Sequence, residues 1–517
     1  MVHNGRREFL TQVGQGMFLA SIGSALASDL GLGRAWAEDT SDHLTFGELD
    51  PLVNFIHETS PDQLVPKVIA KLKAGTDLKQ LVAAASLANA RAFGGEDYVG
   101  FHTLMALAPA YHMSVEEKDP AKKPLAVLKV LYRNATRLSE MGQTKAEVLR
   151  PVRPSIEDNG LNKSNLRDLV RQSDTAAAER LFASQCQGTP VDALDHLMEM
   201  VDDTTEVHRV VLVSRAWELL DFVGKDKAHT MLRQSVRYCT KAERNGNNAN
   251  YSREVRAVLP KLLDQYKLEA KPLGDRSMDD AWVESFAETI FRSTPSQAAE
   301  AAAGALAEGI QAHAIGQAVA VAANQLTLRD NGRKVGQTST NKGVGSCHGD
   351  SIGVHACDSA HAWRTIAKAG GRGTTASSLI LACYQIARDR GSSGEFFTWQ
   401  PYPRVEHVEK IRDLAPEKLL GELGGAIREN DQGRAAAIAS RVSEKQVAEA
   451  FALLREFAIS EDGALHAEKY YRTTSAEYAD ARPAHRLRQL VALARVSASA
   501  FGQPAPGVGE AKTLLKV

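Results

Sequence analysis

Four histidines stand five residues after an aspartate: Asp97 with His102, Asp203 with His208, Asp350 with His355, and Asp480 with His485. Each follows an apolar residue, namely Phe101, Val207, Val354 or Ala484. At ordinary residue usage chance places an Asp at that distance from a His about once in a chain with this many histidines. Neutral imidazole is a ligand for iron, copper, zinc and nickel. Four equivalent histidines on four equivalent helices therefore predict one metal or cofactor centre held by His102, His208, His355 and His485. Near a helix N-terminus the positive end of the dipole disfavours imidazolium and keeps the ring in its ligating form. The aspartates have two readings. Asp97, Asp203, Asp350 and Asp480 would cap first-turn N–H groups, or orient a ring of a neighbouring unit through its other nitrogen. Packing equivalence among repeats would produce the same pattern without any metal, so a non-catalytic helical protein remains the competing expectation.

The third unit carries the most chemistry: Cys347-His348-Gly-Asp350-Ser-Ile-Gly-Val-His355-Ala-Cys357-Asp358-Ser-Ala-His361. His355 and Asp358 fall on one helix face, with His361 within a further turn. His348 lies on the loop before the helix. His348 and His361 are the expected acid–base groups. Cys347 and Cys357 could supply thiolates to a soft Cys/His site, but their spacing matches no zinc-finger pattern and a structural role outweighs it, while Cys239 and Cys383 read as small buried apolar residues. The Gly343-x-Gly345-x-x-x-Gly349 run follows no strand pattern, which excludes a nucleotide-binding fingerprint.

Helices must position these groups. Hydrophobic residues make up 44% of the 517 and aromatics only 6%, so the core is largely Ala, Leu and Val. That composition suits closely packed helices, and strand patterns are few. The expected fold is all-α, an irregular helical repeat array or bundle with four Asp-x4-His helices. Each unit reads as helix, loop, His helix, with loops absorbing the uneven spacing. The expected division is 38–265 around His102 and His208, 266–501 around His355 and His485, and a flexible tail over 502–517. The net charge of −1 gives no field for nucleic acid. No stretch is long and apolar enough for stable membrane insertion after processing.

Gly5-Arg6-Arg7-Glu8-Phe9-Leu10 resembles the twin-arginine export signal, followed by a moderately apolar stretch and a small-x-small site at Ala35-Trp36-Ala37. The resemblance implies a signal peptide over 1–37, the twin-arginine translocase as a partner during export, and a periplasmic or otherwise exported mature chain. Val354-His355-Ala-Cys-Asp-Ser-Ala-His361-Ala-Trp-Arg364 and His313-Ala-Ile-Gly-Gln-Ala-Val-Ala320 resemble segments of questin oxidase-like proteins. That resemblance covers about a tenth of the chain and implies a helical fold and oxidative chemistry. The expected function is thus an exported His-rich protein binding iron, copper, zinc or haem, an oxidoreductase acting on a small molecule. A metal-dependent hydrolase or lyase is the other enzymatic alternative.

Overall fold

A three-helix unit recurs four times in the computed structural model, which describes residues 43–143, 147–152, 154, 165–246, 253–270, 272–339 and 342–517. The first unit is α1 (Leu78–Phe93), α2 (Tyr98–Glu116) and α3 (Leu125–Glu140). The second is α4 (Pro190–Val201), α5 (Val207–Val223) and α6 (Ala228–Arg244). The third is α7 (Ala312–Arg329), α8 (Ile352–Ala369) and α9 (Arg372–Arg390). The fourth is α10 (Val447–Ser460), α11 (His466–Asp480) and α12 (Pro483–Ala500). The fold is all-α. Among the described residues there is no strand, only isolated bridges. The expected signal segment, 1–37, lies outside the described residues.

The four middle helices close a ring. α2 packs on α5, α5 on α8, α8 on α11, and α11 on α2. Flanking helices cover them, with α1 and α3 on α2, α7 and α9 on α8, and α10 and α12 on α11. Small side chains make this crowding possible. Ala83, Ala84, Ala85, Ala88 and Ala90 of α1 are all buried, as are Ala318, Ala320, Ala322 and Ala323 of α7. At Gly353, near the start of α8, a Cβ would stand 2.5 Å from the Thr327 backbone, so α7 and α8 touch main chain to main chain there.

One continuous core cluster runs from Leu44 to Ala511. It crosses the expected boundary at residue 265, because α5 belongs to one half and α8 to the other. The supposed loose tail is built in. Residues Val508–Leu515 form a helix that packs against α3 and against Pro61–Lys73, with Ala511 fully buried. Among the described residues no helix is long and apolar enough to cross a membrane.

Lys129 of α3 is a buried polar tie between the first and fourth units. Its ammonium lies 2.5 Å from Glu468 of α11 and donates to the carbonyls of Ala458 (2.7 Å) and Glu461 (2.5 Å), and both side chains are buried. Removing one partner of a buried pair strands the other charge. Lys129→Met is therefore expected to lower unfolding free energy by about 3–5 kcal/mol in a denaturant titration. A loss under 1 kcal/mol would show that Glu468 is not stranded.

Candidate functional site

The first turns of the four ring helices meet. His102 is the fifth residue of α2, His208 the second of α5, His355 the fourth of α8 and His466 the first of α11. Their rings form a closed quadrilateral. Centroid separations are 5.0 Å for His102–His208, 5.9 Å for His208–His355, 5.6 Å for His355–His466 and 5.2 Å for His466–His102. Tyr98 and Phe101 pack against His102 and His208.

Three rings are oriented by acceptors at Nδ1. His102 donates to the Tyr98 carbonyl (2.7 Å), His466 to the Gly463 carbonyl (3.2 Å), and His208 to the Glu206 carboxylate (2.7 Å). A carbonyl can only accept, so in the neutral ring Nδ1 carries the proton and Nε2 the lone pair. Nε2 of His102, His355 and His466 is buried and has no hydrogen-bond partner among the described residues. Burial, helped by the Lys469 ammonium and neighbouring imidazoles, holds His102 and His466 well below the ordinary histidine range. Burial and then His208 and Lys469 take His355 down to about 4. Glu206 is itself fixed. It caps α5 at the Arg209 N–H (3.1 Å) and accepts from Tyr238 Oη (2.7 Å). Burial works against its ionisation, but the bonds from His208 and Tyr238 outweigh it and bring the carboxyl to about 2.

Three of the four expected ligands thus lie together, and His466 occupies the fourth corner. His485 is elsewhere, on the first turn of α12, with Nε2 3.0 Å from Glu284. His466 too follows an acid by five residues, Glu461 in place of Asp, and the residue before it, Leu465, is apolar like its counterparts. A pattern that admits either acid includes His466. The four aspartates do not hold rings either. Asp97 caps α2 through the Gly100 N–H (2.7 Å) and pairs with Arg137. Asp203 is buried between Arg171 and Arg256. Asp350 binds Arg333 and Lys342, both at 2.6 Å. Asp480 ends α11 and pairs with Arg364. These aspartates meet cations, and none bonds to a ring of the quadrilateral among the described residues; Asp480 lies 3.9 Å from Nδ1 of His313, outside it.

The chain enters α11 through a strained turn. Gly463, Ala464 and Leu465 have φ of 49°, 48° and 64°, three consecutive left-handed residues, two of which carry a Cβ. Each such non-glycine residue costs roughly 1–2 kcal/mol. Surrounding bonds hold the turn. Arg133 pairs with Asp462 (2.8 Å), Glu461 Oε2 accepts from the N–H groups of Gly502 and Gln503, and Ala505 N–H donates to Ser460 O (2.7 Å). The 347–351 loop lies over His466, and a Cβ at Gly349 would sit 2.0 Å from His466 Cβ.

A cavity of about 300 Å³ reaches His466. His348, Tyr98, Lys342 and Asp350 line it on one side, and Phe457, Leu493 and Val496 form an apolar wall. His348 Nε2 is buried without a partner among the described residues. His361 faces a different cavity, of about 530 Å³, with its Nδ1 2.7 Å from Glu477. The two expected acid–base groups are therefore not in one site. Beneath the imidazoles, Lys469 of α11 is 3% exposed, and burial brings it to about 8 against the pull of Asp358. Burial pushes the Cys347 and Cys357 thiols up to about 12, and none of the five cysteines is in a disulfide.

Among the described residues no group of three or more His, Cys, Asp or Glu side chains converges closely enough to hold a metal ion as it stands. No family model, curated protein or solved structure matches this chain.

Two outcomes follow. Burial, and then Lys342, bring His348 down to about 4, below the 6.5 of a free ring. The unfolded chain then binds the extra proton first, so this stability is present above pH 6.5 and is lost as pH falls toward 4. His348→Gln should lose roughly 3 kcal/mol less than wild type between pH 7 and pH 4 in urea titrations. Equal losses in the two proteins would count against a buried neutral ring. Gly349→Ala should displace the loop or His466 and cost about 1–3 kcal/mol, read from the same titration at pH 7.

Proposed function

We propose that this protein binds a transition-metal ion through Nε2 of His102, His208, His355 and His466 and acts as an oxidoreductase on a small molecule. The observation that carries the reading is the set of buried Nε2 atoms without partners on His102, His355 and His466, with Nδ1 of His102 and His466 held by carbonyls. A buried acceptor left unpaired costs about 1–3 kcal/mol. Three in one place are a standing cost that a cation would remove.

The spacing supports a bare ion. Four imidazoles bound at about 2.0–2.1 Å to a tetrahedral ion place adjacent ring centres about 5.2 Å apart. The four separations around the ring, 5.0–5.9 Å, lie within about 1 Å of that value. Haem fits poorly, because its macrocycle must pass between axial rings and these neighbouring rings stand T-shaped or tilted against one another at 5.0–5.9 Å. Imidazole donors suit copper, iron and zinc, and copper or iron would supply the redox chemistry. The Glu206 carboxylate, like the Tyr98 and Gly463 carbonyls, keeps each ring in the ligating tautomer. The cavity beside His466 would admit the substrate, and His348, neutral and unpaired, is placed to exchange a proton with it. The twin-arginine-like N-terminus supports an exported, periplasmic setting, to which folded and already metal-loaded proteins are delivered.

Elemental analysis and a visible spectrum of the purified protein test the reading. Near-stoichiometric iron or copper is expected, and complete absence of metal, even after reconstitution, would end the proposal. Substitution separates the ligand sets. His355→Ala and His466→Ala should abolish stoichiometric metal, while His485→Ala should leave it unchanged. Glu206→Gln should weaken affinity by about 10–100-fold while leaving the ligands in place. Loss of metal in His485→Ala with retention in His466→Ala would reverse the assignment.

A further inference from the structure

The cavity beside His466 collects polar atoms that nothing answers. Nε2 of His348, Nε2 of His466, Oη of Tyr470 and Oδ1 of Asp462 are buried and have no hydrogen-bond partner among the described residues, and all four side chains line this cavity. His348, His466 and Tyr470 are each more than nine-tenths buried. The His466 atom belongs to the ring of imidazoles, which leaves three for a guest. All three can accept a hydrogen bond. A carboxylate oxygen only accepts, a phenol oxygen accepts and donates, and a neutral imidazole nitrogen does one or the other by tautomer. His348 is neutral at physiological pH, because burial and then Lys342 bring it to about 4. Among the described residues Lys342 is the one cation lining the cavity, and Asp350 engages it at 2.6 Å. No unpaired cation therefore awaits an anion. A carboxylate or phosphate would meet Asp462 as a like charge. A hydroxyl, which both donates and accepts, suits all three atoms.

Much of the remaining wall is apolar. Phe457 and Ala458 come from α10, Ala467 from α11, and Leu493, Val496 and Ala500 from α12. Such a wall gains from an apolar body and offers nothing to a charged one. Phe457 and Tyr470 add two aromatic rings, which take a flat ring at an edge or an offset face. At about 300 Å³ the cavity is at the small end of ligand pockets, with room for roughly one or two fused rings. A rigid ring also fixes its hydroxyl with little loss of conformational freedom. The close approach of Gly349 to His466 keeps the loop, and with it His348, against the cavity. We propose that this cavity binds an uncharged phenol, its hydroxyl on His348 Nε2 and its ring against Phe457, Leu493 and Val496. The inference rests on the reading of this cavity as the substrate's, while binding itself needs no metal.

The test is equilibrium dialysis of the full-length protein against 2-naphthol, naphthalene and 2-naphthoate, with metal content measured on each sample. 2-Naphthol should bind at least about fivefold more tightly than naphthalene, the worth of one hydrogen bond to a buried polar atom. It should bind at least about tenfold more tightly than 2-naphthoate, whose charge finds no unpaired cation. His348→Leu should erase the advantage of 2-naphthol over naphthalene while naphthalene stays bound, which also reports that the variant is folded. If it does not fold, the wild-type ratios decide. Val496→Trp fills the cavity and should abolish binding of both, and Leu493→Trp serves if that protein does not fold. Naphthoate bound as tightly as naphthol, an undiminished naphthol advantage in His348→Leu, full binding in the filled variant, or no uptake of naphthol by the wild type each overturns the phenol site. Naphthol bound in the expected pattern by a protein that holds no metal keeps the ligand class and removes the oxidoreductase reading. Metal held without naphthol binding does the reverse.

Discussion

The structure turns on one arrangement: the first turns of four helices bring four imidazoles together, three of them with a buried Nε2 that has no partner among the described residues. An imidazole has two nitrogens and, when neutral, one proton. An acceptor at Nδ1 therefore decides what Nε2 presents. Backbone carbonyls do this for His102 and His466 and a carboxylate does it for His208. Each acceptor comes from the turn that begins the same helix or from the residues just before it. Orientation is thus local to each unit, and the ring of helices has only to bring the four starts together. Burial, with the Lys469 ammonium and neighbouring imidazoles, then makes protonation of His102, His355 and His466 unfavourable.

The fold was legible because its signals are redundant. Ala-rich stretches such as 81–91 and 318–328, acidic caps before the first turns, and polar breaks all recur along the chain. Composition alone argued against sheets. Three site histidines were legible for the same reason, since an acid five residues upstream and an apolar neighbour mark a first turn. The fourth was missed because two chemically close residues were treated as different. Glu461 reaches the Gly502 and Gln503 amides where Asp97 reaches a helix N–H, so the position conserves an anchoring acid and not a particular length. His485 matched the letter of the spacing but sits on the third helix of its unit, a distinction that depends on where α11 ends and α12 begins.

What no periodicity could reveal is the path into α11. Three left-handed residues in a row are absent from any propensity reading, because Ala464 and Leu465 are good right-handed helix formers. They adopt this path because contacts from distant segments over-determine it: Arg133 and Lys129 from α3, and residues 502–505 from beyond α12. Without those contacts α10 and α11 would tend to run on as one helix, and His466 would rotate away from the other three rings. The last sixteen residues, which read as a loose tail, hold that turn in place.

The distribution of charge follows from the same economy of space. The acids at the upstream positions bind arginines and lysines at the outer ends of the ring, so the loops are tied by ion pairs half in contact with water. Inside, Glu468 meets Lys129 and Asp358 meets Thr473, so the interior carboxylates also have partners. Lys469, buried one turn into α11, has Asp358 as its main counter-charge, and the buried Arg495 is met by the main-chain carbonyls of Thr327 and Asp330.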